Sequence, residues 1–397
     1  MLQARRECAM RIGIVTETYP PEVNGVALTV HSLAAGMAAL GHAVDLVRPR
    51  QPGHAPFADE PGIEALQTPG VGLPRYPGLR FGLPVTGRLV ARWKRDRPDA
   101  VYVATEGPLG WAAMRAAIRL GIPVATGFHT RFDAYAGHYG VKWLTPLVRK
   151  HLRRFHNRAD ATLVPTRGLA AELEAMGIVN SRLLRRAVDI DLFHPSRRDD
   201  ALRASWGADE DTLVVLYVGR IAAEKNLPLA LASFEAAKAR HPKALYVWVG
   251  DGPERAALQA AHPDFVFAGM RSGEDLAAHY ASADLFVFPS LSETFGNVVL
   301  EALAAGVPVV AYDEGAAREH VVDGVNGVRI ESGNEKSFIN CAACVASDLR
   351  QLHAMGRAAR HGVSSLAPGA VIADFERLLK SLVTERSHEH HATSATA

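Results

Sequence analysis

The sequence predicts two doubly wound α/β domains in tandem. Short apolar strands alternate with amphipathic helices along most of its 397 residues, which is typical of parallel sheets covered on both faces. The alternation stops once, after Phe193, at a polar stretch that contains Pro195, and then begins again. We therefore place a domain boundary near residues 190 to 200, and we expect an N-terminal Rossmann-like domain over residues 1–195 and a second one over residues 196–397.

The individual elements follow from the apolar runs and the turn residues between them. The first domain opens with a strand over residues 11–18, RIGIVTET, and a helix over residues 26–40 that ends at Gly41. Its further strands are predicted at residues 43–49, 100–105, 123–129 and 161–166. In the second domain, strands are predicted at residues 212–220, 244–250, 264–270, 283–290 and 307–313. Residues 334–385 show helical periodicity only, and we expect terminal helices of the second domain there.

Composition narrows the class of protein. The chain is 48% hydrophobic and 22% charged, as expected for a globular protein, and its net charge of +2 gives no indication of nucleic-acid binding. Its three cysteines form no disulfide framework, and no apolar run is long enough to span a bilayer. The N-terminus lacks the apolar segment of a signal peptide, so we expect a cytoplasmic protein whose start is either Met1 or Met10.

Candidate functional residues lie in the loops that follow the strands. Ligands of doubly wound sheets bind outside the carboxyl ends of the strands, and two such domains are expected to face a common cleft. After the first strand, Gly25 precedes a helix start, whose free N–H groups favour anions. After the first strand of the second domain, Arg220 and Lys225 supply two cations, which suit a diphosphate group.

The stretch SETFGNVVLEALAAG, residues 292–306, places one acid in a loop and another within the helix that follows. The N–H groups of Phe295, Gly296 and Asn297 lie at the helix start, where they are expected to contact a phosphate. Glu301, one turn into the helix, suits hydrogen bonds to the vicinal hydroxyls of a ribose, and Glu293 suits a group beyond the phosphate. The pair therefore favours a nucleotide sugar; the alternative is a helix-entry acid and a surface acid.

These motifs resemble those of the retaining glycosyltransferases of family 4, which have the GT-B fold. The resemblance covers nearly the whole chain, and the motifs occur in the family's order: VDIDLFHP, VGR…EKN, VGDGPE and LFVFPSLSETFGNVVLEALAAGVPVVA. The segments IVTETYPPEVNGVA and GFHTRFDAYAGHYG resemble the branch that contains bacterial mannosyltransferases and the sulfoquinovosyl- or glucosyl-diacylglycerol synthases. That branch favours GDP-mannose as donor, with UDP-glucose and UDP-glucuronate as alternatives, and a lipid or glycolipid acceptor.

In the second domain the resemblance assigns a role to each candidate. It implies that Arg220 and Lys225 neutralise the donor diphosphate, that Glu301 binds the ribose and that Glu293 contacts the donor sugar. The three helix-start amides would surround the sugar and the phosphate. The second domain is therefore expected to bind the donor and the first domain the acceptor.

In the first domain the resemblance adds two residues and reveals a difference. His129, in the FHT motif, matches a histidine beside the reactive face of the sugar, and Gly25 matches a glycine that approaches the phosphate. Where the family commonly has NGVD, this chain has RAVD, so that Arg186 stands near the ligand and is expected to contact an anionic group.

The implied reaction is the metal-independent transfer of a hexose to an alcohol with retention of configuration. The departing phosphate would accept the proton of the acceptor, and His129 would orient the sugar and stabilise its cationic character. We expect no cofactor and no metal, because Arg220 and Lys225 already supply positive charge. The two D-x-D triplets, Asp189/Asp191 and Asp209/Asp211, lie in the linker rather than at strand ends.

Two basic segments, residues 75–97 and 142–158, carry aromatic residues among their cations. One interpretation is a peripheral contact with an anionic membrane, at the inner face of the plasma membrane, beside a lipid acceptor. The other is a pair of helices whose apolar faces belong to the core and whose cations are solvated. The sequence alone leaves both open.

Other classes of protein remain as alternatives. A dinucleotide-dependent oxidoreductase needs G-x-G-x-x-G after a strand, but GDGPER, residues 250–255, has Arg255 in place of the third glycine. A non-hydrolysing sugar-nucleotide epimerase would share the architecture, and a non-catalytic nucleotide-sugar-binding protein would bind without turnover.

Overall fold

A computed structural model describes residues 9–22, 24–51, 60–73, 76–129, 145–291, 293 and 295–394. The chain divides into two compact units, of which the first comprises Met1–Arg186 with Pro368–Ala397 and the second Ala187–Ala367. Each unit is built on a parallel sheet of its own. The predicted fold class, two doubly wound α/β domains, is confirmed.

The sheet of the first unit has seven strands in the order β3-β2-β1-β6-β7-β8-β9. Its order reverses between β1 and β6, which is the point where doubly wound sheets bind ligands. The strands described in this unit are, in chain order, β1 (Arg11–Val15), β2 (Ala43–Pro49), β3 (Ile63–Thr68), β4 (Gly70–Leu73), β5 (Tyr76–Gly82), β6 (Ala100–Val103), β7 (Val124–Gly127), β8 (Ala161–Val164) and β9 (Ser181–Leu183). Strands β4 and β5 form a separate antiparallel hairpin. The helices between them are α1 (Gly25–Ala39), α2 (Thr86–Arg95), α3 (Pro108–Arg119), α4 (Thr145–His156) and α5 (Arg167–Ala175).

The sheet of the second unit has six strands in the order β12-β11-β10-β13-β14-β15, with the reversal between β10 and β13. Its strands are β10 (Val214–Val218), β11 (Leu245–Val249), β12 (Val266–Gly269), β13 (Leu285–Phe288), β14 (Val309–Tyr312) and β15 (Gly327–Ile330). Its helices are α6 (Asp200–Ser205), α7 (Leu227–Arg240), α8 (Arg255–Ala261), α9 (Gly273–Ala281), α10 (Asn297–Ala304), α11 (Gly315–His320), α12 (Glu335–Val345) and α13 (Leu349–Gly362). Every residue of β10 and β13 is buried, as their continuous apolar sequences predict.

The last helix, α14 (Pro368–Ser394), corrects the predicted domain assignment, because it groups with the first unit rather than the second. A Cβ placed on Gly36 of α1 would lie 2.2 Å from Cδ1 of Ile372, so the two helices are in close contact. Phe375 packs edge to face on Tyr102, with ring centroids 5.1 Å apart. Apolar periodicity shows that a helix has a buried face, but it does not show which sheet covers that face.

The two basic segments contain both buried and exposed apolar residues among those that the structure describes, so each interpretation of them keeps some support. Trp93 is fully buried, and its indole N–H donates to Asp45 at 2.9 Å. Phe155 of α4 is also fully buried. Phe81 and Leu83 of the first segment and Leu147 of the second are exposed, as is Val71, which precedes the first segment. Trp143, an aromatic residue of the second segment, lies outside the described residues.

Candidate functional site

In the second unit, the loops after β10 and β13 meet where the strand order reverses. The Nζ atom of Lys225 donates to Oε1 of Glu293, and the hydroxyl of Ser290 donates to the same oxygen at 3.1 Å. The side chains of Lys225 and Glu293 are 14% and 23% exposed, so the pair is partly shielded from water. Two residues predicted separately, as a phosphate ligand and as a sugar ligand, are therefore direct neighbours.

Arg220 lies two residues beyond β10 at the start of the same loop. Its side chain is 58% exposed, and Glu224 is 3.5 Å away. The backbone carbonyl of Arg220 accepts a hydrogen bond of 3.0 Å from the hydroxyl of the buried Tyr217. The backbone of Arg220 is thus held by the sheet, while its guanidinium group extends into solvent.

The start of α10 offers the backbone N–H groups that the sequence predicts for phosphate binding. Gly296 precedes the helix with φ +87°, and Asn297 is the first helical residue. No side chain within the described part of the chain caps this helix start. The carbonyl of Phe295 accepts from the N–H of Ala316 at 2.6 Å, which ties the loop to the start of α11. The helix start therefore has N–H groups for an anion and a loop in a fixed position.

Glu301 is half-buried in α10 and is not a surface acid. The hydroxyl of Tyr280, on α9, donates to its Oε2 at 2.9 Å. Burial raises the pKa of Glu301 to about 7, although the hydrogen bond from Tyr280 acts in the opposite direction. A carboxylate that is short of hydrogen bonds in this way is suited to accept them from two neighbouring hydroxyls.

The glycines of the VGDGPE motif bring two loops together. A Cβ on Gly252 would lie 2.2 Å from the carbonyl oxygen of Ile221, and one on Gly250 would lie 2.0 Å from that of Gly219. The N–H of Ile221 also donates to the carbonyl of Asp251 at 2.9 Å. These glycines therefore support the loop that carries Arg220 and Lys225, which accounts for the motif without a dinucleotide.

In the first unit, the helix start at Gly25 is already capped. The side-chain oxygen of Asn24 accepts from the N–H groups of Val26 at 3.1 Å and Ala27 at 2.9 Å. An anion at this position would compete with Asn24 for two of the N–H groups that the sequence analysis assigned to it. Of the two predicted helix-start sites, the one at α10 is the more open.

His129 and Arg186, which the sequence analysis placed in different motifs, are in direct contact. A guanidinium N–H of Arg186 donates to Nδ1 of His129, so the ring proton resides on Nε2, which lies 2.7 Å from the hydroxyl of Tyr102. Burial and the neighbouring cation of Arg186 hold the pKa of His129 well below its usual range. The ring is therefore neutral and fixed, and a positive charge lies beside it. This geometry favours orientation of a ligand over stabilisation of a sugar cation.

Close packing around this pair explains a glycine in β7. A Cβ on Gly127 would lie 2.3 Å from the hydroxyl of Tyr102 and 2.4 Å from Nε2 of His129. Only glycine leaves room for the hydrogen bond between the two side chains.

The sequence analysis missed two buried acids in the first unit. Glu17, two residues beyond the end of β1, accepts from the N–H groups of Gly82 and of Leu109, the latter at 3.0 Å, and thereby caps α3 from another element. Burial raises the pKa of Glu17 to about 7. Glu106 lies 3.3 Å from the ring of the fully buried His156. The sequence did contain one indication of these acids, namely their position: both follow buried strands that flank the reversal of strand order.

The two D-x-D triplets are turn caps. A carboxylate oxygen of Asp189 accepts from the N–H groups of Asp191 at 3.2 Å and Leu192 at 2.9 Å. Asp209 accepts from the N–H of Asp211 at 3.0 Å. Within the described ranges, no group of three or more His, Cys, Asp or Glu side chains is arranged to hold a metal ion.

We expect Gly315→Ala to abolish nucleotide binding and activity at the α10 site. A Cβ there would lie 2.3 Å from the carbonyl oxygen of Phe295, and the residue has φ +50°. The matched control is Gly324→Ala, which has a similar φ of +73° but no atom within 4 Å of the added Cβ. Titration calorimetry with GDP or UDP checks the expectation. Equal affinities in the two variants would show that the contact between Phe295 and α11 does not position the site.

Two family models match successive parts of the chain. Residues 23–219 match the family model described as Glycosyltransferase Family 4, and residues 198–362 match the one described as Glycosyl transferases group 1. Sucrose-phosphate synthase from Thermosynechococcus elongatus has a TM-score of 0.75 over 95% of this chain and 100% of that one, at 19% identity, which shows a shared fold.

Two characterised relatives extend over most of the chain. A GDP-mannose-dependent alpha-mannosyltransferase of Mycobacterium tuberculosis is 34% identical, over 90% of this chain and 92% of that one. An alpha-monoglucosyldiacylglycerol synthase of Acholeplasma laidlawii is 28% identical, over 82% of this chain and 86% of that one. Together with the matched models, they show that the chain belongs to glycosyltransferase family 4.

Proposed function

We propose that this glycosyltransferase moves a hexose from a nucleotide diphosphate sugar to an alcohol, with retention of configuration and without a metal ion. One observation carries the proposal. The loops after β10 and β13 bring Lys225, Glu293 and the start of α10 to the same edge of one sheet, and Glu301 follows one turn into that helix. Lys225 suits a diphosphate, Glu293 a sugar, the helix start a phosphate and Glu301 a ribose.

The proposed donor site uses charges that suit each part of the ligand. Arg220 and Lys225 neutralise the diphosphate, and the N–H groups of Phe295, Gly296 and Asn297 contact phosphate and sugar oxygens. In the ligand-free protein, Glu293 is the partner of Lys225. When the diphosphate replaces Glu293 beside the ammonium group, the carboxylate becomes available to the hydroxyls of the sugar.

In the proposed reaction, the bond from the anomeric carbon to the phosphate oxygen breaks as the acceptor oxygen bonds to that carbon from the same face. The leaving diphosphate takes the acceptor proton, so no protein base is required. Arg220 and Lys225 stabilise the charge that develops on the diphosphate, which is commonly the largest contribution to catalysis. Gly25 approaches the phosphate, and the neutral His129 orients the sugar.

GDP-mannose is the donor we favour, because the relative from M. tuberculosis is named for it; a UDP-hexose is the alternative. The test is transfer from GDP-mannose, UDP-glucose and UDP-glucuronate to an alkyl glycoside, in EDTA, with NMR assignment of the product anomer. We expect one donor to give an α-linked product. A β-linked product, or turnover that requires an added divalent metal, would contradict the proposed mechanism.

We further propose a lipid or glycolipid acceptor and a peripheral position on an anionic membrane. The relative from A. laidlawii is named as a glycolipid synthase. Lys150 and Arg154 lie on the exposed face of α4, while Leu152 and Phe155 on its other face are buried. Within the described residues, no helix has the length and apolarity of a membrane span. Attachment would therefore depend on the surface cations, at about 1 kcal/mol each.

Flotation with liposomes tests the membrane proposal. We expect binding to vesicles that contain anionic lipid, and a loss of at least about tenfold for the double variant Lys150→Glu/Arg154→Glu. The matched control is Lys238→Glu in the second unit, whose side chain is 39% exposed. Equal flotation of all three proteins, or no flotation of the wild type, would overturn the proposal.

A sugar-nucleotide epimerase and a non-catalytic binding protein are not favoured by the comparisons, since the relatives described above are named as a mannosyltransferase and as a monoglucosyldiacylglycerol synthase.

A further inference from the structure

Arg186 is a buried cation with no acid beside it among the residues that the structure describes. Only 9% of its surface is exposed, and no carboxylate in the described part of the chain lies within ion-pair distance of it. By contrast, the buried Arg203 in the second unit pairs with Asp284 at 3.0 Å and donates to three carbonyl groups. A charge removed from water without a counter-charge destabilises the folded protein, so its retention needs a reason.

The groups that contact Arg186 are neutral. The guanidinium uses one nitrogen to donate to His129, whereas a guanidinium has five N–H donors in all. Burial raises the pKa of Tyr102, so its hydroxyl stays protonated. Burial also lowers the pKa of Arg186 itself, and the nearby Tyr102 counteracts this only in part. The side chain therefore has donors and charge that its protein neighbours do not match.

The position of Arg186 is one at which ligands bind. It lies three residues beyond the end of β9, and His129 lies two residues beyond the end of β7. Both belong to the carboxyl edge of the first sheet, where doubly wound folds bind their ligands. The two residues come from separate loops and meet through a direct hydrogen bond.

We propose that Arg186, held by His129, binds an oxyanion of the substrate, either a carboxylate or a phosphate. The inference rests on the proposed function and narrows its substrate class: one of the two substrates carries a negative charge besides the donor diphosphate. Planar guanidinium groups bind such oxyanions through two parallel hydrogen bonds. The charge belongs either to the acceptor or to the donor sugar.

Matched ligands distinguish these two sources. The acceptor arm compares octyl glucoside with octyl glucuronide and with octyl glucoside 6-phosphate, and the donor arm compares UDP-glucose with UDP-glucuronate. We expect the wild type to bind the charged member of one arm at least about tenfold more tightly. Arg186→Gln should weaken the charged member more than the neutral one and so remove that preference, and Arg186→Lys should restore part of it.

The matched control is Arg185→Gln, since Arg185 is the neighbouring residue but pairs with Asp374 at 3.0 Å. It should keep the preference. Calorimetry measures binding, and a separate assay measures turnover. A protein that binds these ligands but transfers nothing would refute the proposed function, while its binding would still test the role of Arg186. The inference is overturned if the wild type shows no preference in either arm, or if Arg186→Gln weakens charged and neutral ligands equally. The first of these outcomes does not depend on how the variants fold.

Discussion

Replacing Lys225 with alanine is expected to lower kcat/KM by about 100- to 1,000-fold, because the leaving diphosphate loses a cation where its charge develops. The fold should change little. The ion pair with Glu293 is partly exposed, and pairs of this kind contribute about 1 kcal/mol or less to the free energy of unfolding. Steady-state kinetics and urea unfolding of the same preparation measure both quantities.

The matched control for Lys225 is Lys238→Ala, which removes a lysine paired with Asp264 at 3.4 Å on the surface of the same unit. This variant should keep the activity of the wild type. If Lys225→Ala lost less than about threefold in kcat/KM, electrostatic stabilisation by this residue would not be part of the mechanism.

Glu301→Gln is expected to make the ligand-free protein more stable and its nucleotide binding weaker. The pKa of Glu301 is raised from 4.5 to about 7, so ionisation of this group costs the folded state stability as pH rises from 4.5 through 7. The variant has no such group to ionise. At pH 8 it should therefore unfold with a free energy about 1 to 3 kcal/mol higher than the wild type, and near pH 4.5 the two should agree.

Affinity for a nucleoside diphosphate should respond in the opposite sense. In the proposed site the ionised carboxylate would accept hydrogen bonds from both ribose hydroxyls, so wild-type affinity should fall as pH drops below about 7. The variant should bind about 10- to 100-fold more weakly at pH 8, with a flatter pH profile. Glu17 titrates in the same range, so the difference between the two proteins, rather than either profile alone, isolates Glu301. Parallel pH profiles would contradict a ribose contact through this carboxylate.

The proximity of Lys225 and Glu293 could be predicted from the sequence because both residues follow continuous buried strands. A strand such as β13 fixes where the next loop begins, and parallel neighbours bring their loops to one edge. Lys225 and Glu293 were assigned to one ligand on that basis, and they are in contact. The partner of Glu301 was not predictable in this way, since Tyr280 reaches it from a helix on a different part of the chain.

The errors have a common physical origin. Strands β3, β9 and β15 were missed because they lie at sheet edges, where half-exposed residues interrupt the apolar run. The position of α14 depends on its close contact with Gly36, and the burial of Trp93 depends on its hydrogen bond to Asp45. Both partners are distant in sequence. The contact between Arg186 and His129 likewise joins two loops that are far apart in sequence. Local patterns carry no information about such partners.

The most direct test of the nucleotide-sugar site is the thermal stability of the wild type and of Glu301→Gln with GDP, UDP, ADP and NAD, in EDTA. A ligand present at a hundred times its dissociation constant adds about 2.7 kcal/mol to the free energy of unfolding. We predict that GDP or UDP raises the Tm of the wild type, and that most of this response is lost in the variant at pH 8. If only NAD stabilised the wild type, or if the variant responded as the wild type does, the assignment of Glu293 and Glu301 to a nucleotide sugar would be wrong.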